Sequence, residues 1–192
     1  MIRKLRRTNH LTAGFSLLEV LIIVVILGIL ATIATPAWLS FMNRQRLNRS
    51  GEQLLQALRL AQGEAKRSGT YQEVRFNMAT DPPRFAVVKV NTQYNPGVTL
   101  SLVPSSQINT WEAFGNDEIQ AGITSLSENN PNSDSIIFGP RGEVARTTIA
   151  PTNSNLPFIV TLALRRSPNV KRCVRVESLL GAISMGENNA CP

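Results

Sequence analysis

One carboxylate, Glu19, stands in a run from Leu17 to Ala34 that holds no other ionisable side chain. A charged acid inside hydrocarbon costs on the order of 3 kcal/mol or more unless it is paired, so its presence points to an ion pair. The cation that the sequence offers is one that must first be made. The small-to-aromatic junction Gly14-Phe15 lies just ahead of the run, and hydrolysis of that bond creates an ammonium group on Phe15, one helical turn from Glu19. The chemistry expected here is proteolysis followed by charge pairing, within one chain or between neighbours. The alternative is that Glu19 only snorkels toward lipid headgroups.

Two other sets of residues could do chemistry. Cys173 and Cys191 are the only cysteines, and an oxidising compartment makes a disulfide between them the expected state, with a pair of buried thiols as the alternative. Arg165, Arg166, Lys171, Arg172 and Arg175 fall within eleven residues without an acid. A hairpin turning at Ser167-Pro168-Asn169 would gather them into a patch able to contact phosphates. No aromatic residue is interleaved, so base stacking is not expected. The competing reading is an edge strand guarded by charge, or one that meets acidic neighbours.

Catalysis is not expected. The one histidine, His10, precedes the Gly14-Phe15 junction, so a cut chain would lack the residue that triads and most zinc sites need. Gly139-Pro140-Arg141-Gly142 is too short for a phosphate loop and lacks its Lys-Ser/Thr pair. Asp117, Glu118 and Asp134 read as solvated loop acids, and neither a metal nor another cofactor is expected.

The apolar run is long enough to cross a bilayer as a helix. Arg3, Lys4, Arg6 and Arg7 precede it, which keeps that end in the cytoplasm and exports everything after Trp38. The net charge is +7, of which these four side chains supply four, so the processed chain carries about +3 and its basicity is no argument for nucleic acid. Pro36 predicts a kink. Beyond it, Leu47, Leu54, Leu58, Ala61 and Ala65 recur at helical spacing, with Ser68-Gly69 as the stop.

After the helix the pattern becomes that of strands. They are expected at Thr70 to Phe76, Phe85 to Asn91, Val98 to Val103, Ser135 to Phe138, Glu143 to Ile149, Phe158 to Leu164 and Val170 to Val176. The polar stretch Ser105 to Asp134 reads as a long surface loop. The expected class is α+β: a long N-terminal helix, membrane half plus amphipathic half, packed on an antiparallel head. The divisions are residues 1–14, 15–36, 37–69 and 70–192.

Gly14, Phe15, Glu19 and Pro36 together resemble the N-terminal signature of type IV prepilins and type II secretion pseudopilins. The resemblance implies cleavage after Gly14 by a prepilin peptidase, methylation of Phe15, and a single-pass stage in the bacterial inner membrane with the head in the periplasm. An assembly platform would then carry the subunit into a pilus or pseudopilus, with Glu19 setting register against other subunits. Leu54 to Gly69 with Glu64-Ala65, Ile137 to Gly142, and Cys173-Val174-Arg175-Val176 followed by Gly181 resemble the GspH/FimT-type minor pilins and pseudopilins. That implies a minor, structural subunit of a pilus or an export pseudopilus for protein or polysaccharide. Some of its relatives capture DNA during transformation through a Gly-Arg-x-Arg pattern, and here the corresponding residues are Gly181-Ala182-Ile183-Ser184. DNA is therefore expected as a partner only through the basic stretch.

Overall fold

The computed structural model describes residues 14–90, 100, 102–115, 124–128, 134–145, 156–165 and 167–192, without the side chains of residues 34–36, 124 and 128. Two units are distinguished, Met1–Phe41 and Met42–Pro192, and helix α1, Leu17–Ser68, begins in the first and ends in the second. In the first unit, the large apolar side chains from Phe15 to Phe41 are all exposed, from 43% at Ile23 to 84% at Leu17. Among the described residues, nothing covers this surface. Among the described residues no single helix is long and apolar enough to cross a membrane; Leu17–Ile33 and Ala37–Ser68 meet that criterion only when taken together across the residues between them. The side chain of Pro36 lies outside the described set.

In the second unit α1 turns an apolar stripe inward. Leu47, Leu54, Leu58, Ala61 and Ala65 are completely buried, as their spacing predicts. The helix ends where Gly69, at φ 66°, donates its N–H to the Ala65 carbonyl at 3.0 Å, a left-handed cap that glycine adopts without strain.

Two antiparallel four-stranded sheets complete the head. The strands are β1 Gln72–Asn77, β2 Arg84–Lys89, β3 Glu112–Ala113, β4 Thr124–Glu128, β5 Ser135–Phe138, β6 Phe158–Leu164, β7 Ser167–Val176 and β8 Ile183–Glu187. One sheet has the order β3-β2-β1-β5 and the other β4-β6-β7-β8. Alternate residues of both, among them Val74, Phe76, Ile136, Phe138, Val160, Leu162, Val174 and Val176, share one core with the helix. Phe76 stacks on Phe158 with ring centroids 6.1 Å apart, so an aromatic contact joins the sheets.

Several sequence expectations need correction. The single expected sheet is two. The stretch read as a loop from Ser105 to Asp134 contains β3 and β4, and β4 is a strand because it pairs along its length with β6, from Thr124↔Leu164 to Glu128↔Val160. Within Val98 to Val103 the described residues form no strand, only a bridge at Leu100, whose side chain packs with Tyr71, Val90 and Ile137 on the outer face of the first sheet. Of Glu143 to Ile149, Val144 bridges Phe138 and residues 146–149 lie outside the described set. β7 starts at Ser167, so the turn before it falls at Arg165 rather than at Ser167-Pro168-Asn169.

That outer face is fastened by a buried ion pair. Glu73, fully buried, holds Arg75 through contacts of 2.6 and 2.8 Å, and its other oxygen accepts the Val103 N–H at 2.9 Å. Arg75 also reaches the Ser105 hydroxyl at 3.4 Å. One carboxylate therefore ties the segment after Leu100 to β1.

Glutamine side chains on α1 pin the loops. Gln53 bonds Ala113 and Gly115, while Gln62 donates to the carbonyls of Gly142 and Gly181, both at 2.8 Å. Gly181 sits at φ 77°, and a Cβ there would collide with the Gln62 side chain and the Gly142 carbonyl. Gly181→Ala is expected to destabilise the head by about 2–3 kcal/mol, from backbone strain plus overpacking. Urea unfolding checks this: an unchanged midpoint would contradict the glycine's role.

Cys173 and Cys191 form a disulfide with Cα atoms 5.6 Å apart, joining β7 to the C-terminal turn Asn188–Ala190. Their sequence separation is 18, so a Cys173→Ser, Cys191→Ser chain is expected to lose about 3 kcal/mol of stability, read from its thermal midpoint against the oxidised protein.

Candidate functional site

The start of α1 is built by Ser16. Its hydroxyl accepts the Glu19 N–H at 3.2 Å and its carbonyl accepts the Val20 N–H at 3.2 Å, which makes Ser16 the N-cap and puts Glu19 in the first turn. A carboxylate there is favoured by the unsatisfied N–H groups and the positive end of the helix dipole. The sequence carries the signal for this cap as Ser-x-x-Glu ahead of an apolar run, the pattern of a capping box, which the charge-based reading of Glu19 passes over. Phe15 is 75% exposed and Glu19 is exposed. Among the described residues no atom lies within 4 Å of a Cβ added at Gly14, so that side of the Gly14-Phe15 bond is open. An accessible junction thus leads into a capped turn that presents one acid on an uncovered apolar rod.

The four basic residues of this stretch that are described, Arg165, Lys171, Arg172 and Arg175, do not converge on one partner. Arg165 pairs with Asp81 at 3.0 Å, and Arg166 lies outside the described residues. Lys171 donates to the Pro192 carbonyl at 2.7 Å. Arg172 faces the helix: its Nε donates to Asn48 at 2.9 Å and its guanidinium pairs with Glu187. Arg175 lies on the opposite face, beside Cys173, and its Nε is buried without an acceptor among the described residues. The alternation of β7 causes this split, since Arg172 shares a face with Val174 and Val176, whereas Lys171 and Arg175 share the other with Cys173. A Cβ at Gly51 would lie 3.2 Å from Arg172, so a glycine in the helix makes room for the inward arginine.

Comparison with known proteins decides what this rod and head belong to. The family described as type II transport protein GspH matches residues 50–180, and the prokaryotic N-terminal methylation motif matches residues 10–35. The chain belongs to the GspH family. It is a minor pilin or pseudopilin, a structural subunit whose long N-terminal helix precedes antiparallel sheets. Among solved structures, the minor pseudopilin EpsH from the type 2 secretion system of Vibrio cholerae is 17% identical, with 74% of this chain and 97% of that chain covered and a TM-score of 0.45. The type IV minor pilin FimU of Pseudomonas aeruginosa is 16% identical, with 79% of this chain and 96% of that chain covered and a TM-score of 0.49. No curated protein matches the chain. In this GspH-family head, the match takes in α1 from Ser50 onward and β1 to β7, and it ends at Leu180, before β8.

Proposed function

We propose that this GspH-family subunit is made as a precursor, cut between Gly14 and Phe15 by a prepilin peptidase, methylated on Phe15, and stored in the inner membrane with its head in the periplasm. Residues 1–14 are the leader, 15–36 the storage and assembly segment, and 37–69 the part of the helix that continues into the head at 70–192. An energy-driven platform then moves the segment from lipid into a bundle of sister helices. The same apolar surface is covered in both states, so transfer need not forfeit its burial energy of ~25 cal/mol per Å².

The observation that supports this reading is the run of exposed large apolar side chains between Phe15 and Phe41, which starts at a capped turn holding Glu19. In the bundle, the Phe15 ammonium and Glu19 of the same or the next subunit neutralise each other. The proposal gives the chain no catalytic role. Capture of DNA is not included, because Arg165, Lys171 and Arg172 bond different partners and Arg175 lies on the face of β7 away from Arg172.

Intact-mass measurement of the native polypeptide is expected to give a chain that begins at methylated Phe15, and any other terminus contradicts the proposal. Glu19→Ala is expected to be cut normally yet to be lost from the sheared fibre fraction. Deleting the gene assigns the machine: loss of pili marks a pilus subunit, whereas intact pili with a missing secreted product mark a pseudopilus subunit.

A further inference from the structure

Arg172 meets α1, and Lys171 adjoins it on β7, bonded to Asn188 and Pro192. With Arg44, Asn48, Glu187 and Asn188 they line an open cleft of about 290 Å³. Three cationic residues and one acid line it, and the acid, Glu187, pairs with Arg172. The amides add to the donor character: Asn48 Oδ1 accepts from Arg172 at 2.9 Å, and Asn188 Oδ1 accepts the Lys171 N–H at 3.3 Å. With both amide oxygens engaged, each NH₂ group is turned to donation. Lys171 Nζ uses one of its three protons on Pro192, and Arg44 is exposed. A cleft made of cations and N–H donors recognises an acceptor-rich anion. Its volume lies at the lower end of small-molecule sites, which suits one phosphodiester headgroup and not a duplex.

The chain itself indicates where such a group comes from. Only Met42 and Asn43 separate Arg44 from Phe41, the last residue of the exposed apolar stretch, so at most about 11 Å of chain lies between them even if extended. Trp38, 65% exposed, precedes them, and tryptophan is enriched where hydrocarbon meets headgroups. We infer that the Arg44–Lys171–Arg172 cleft binds the phosphate of an anionic phospholipid in the outer leaflet of the inner membrane while the subunit is stored there. The inference rests on the membrane stage proposed above.

The test uses the full processed chain in nanodiscs of phosphatidylethanolamine with or without phosphatidylglycerol, released into mild detergent for native mass spectrometry. The wild type is expected to retain one phosphatidylglycerol in preference to phosphatidylethanolamine. Arg44→Gln, at an exposed position that leaves the head folded, is expected to reduce this retention about fivefold, and adding Asn188→Ala to reduce it further. Equal retention of the two lipids, or equal retention by variant and wild type, overturns the inference while leaving membrane storage intact. Displacement of the lipid by equimolar glycerol 3-phosphate overturns the lipid assignment in favour of a soluble phosphate, and Arg44-dependent binding of duplex DNA overturns it in favour of nucleic acid. A chain that does not enter nanodiscs at all removes the basis of both readings.

Discussion

Gly14→Val is expected to leave the entire leader on the protein and to abolish its entry into any fibre. A branched side chain at the junction blocks cleavage, and Arg3, Lys4, Arg6 and Arg7 then remain covalently attached ahead of α1. Each of these charges costs about 2.5–3.5 kcal/mol in an apolar helical bundle, so four together exceed what helix packing can offset. The ammonium group that would neutralise Glu19 is also never formed. Membrane extracts should contain only the precursor, fourteen residues heavier by mass, and the fibre fraction should contain none. Recovery of a chain starting at Phe15 from this variant would show that the junction has been placed wrongly.

Glu73→Ala is the substitution expected to harm the head most. Arg75 has a side-chain exposure of only 6%, so removing the carboxylate strands a buried guanidinium and deprives the Val103 N–H of its acceptor. Breaking a buried pair from one side costs about 3–5 kcal/mol, which for a domain of this size lowers the melting temperature by roughly 10 °C. Replacing both partners, Glu73→Leu with Arg75→Leu, should recover most of the loss, because no charge is then left in the interior. If the single variant melts with the wild type, the pair does not hold the Leu100 segment to β1. A double variant as unstable as the single one would instead make the hydrogen bond to Val103 the dominant contribution.

The elements that could be read ahead of the structure are those whose pattern is local. Leu47, Leu54, Leu58, Ala61 and Ala65 trace a helical stripe by spacing alone and are fully buried, while Phe158 to Leu164 is a strand with the expected ends. β4 was missed because Thr124–Glu128 is a weak strand sequence whose conformation comes from pairing with β6, some thirty residues away. β8 escaped for a similar reason: Ile183–Glu187 contains Ser and Gly and depends on β7 for its register, with Arg172↔Glu187 at one end. The basic stretch was legible as charge but not as geometry. Moving its turn back to Arg165 changed which side chains face the helix, and a strand alternates faces at every residue. Arg44 could not have been joined to Lys171 and Arg172 beforehand, since only the packing of α1 against β7 brings positions so far apart in the chain around one cleft. At the processing end the opposite holds. Gly14, Phe15, Ser16 and Glu19 lie within six consecutive residues, so nearly all of their arrangement follows from the sequence and the rules of helix capping.

The hydroxyl of Ser16 has a consequence for what a cut leaves behind. Because the first turn of α1 is already closed immediately after Phe15, severing the chain there produces a blunt, pre-shaped tip instead of a frayed thread. A neighbour that docks onto it meets a charge at a set height and has little chain entropy to quench.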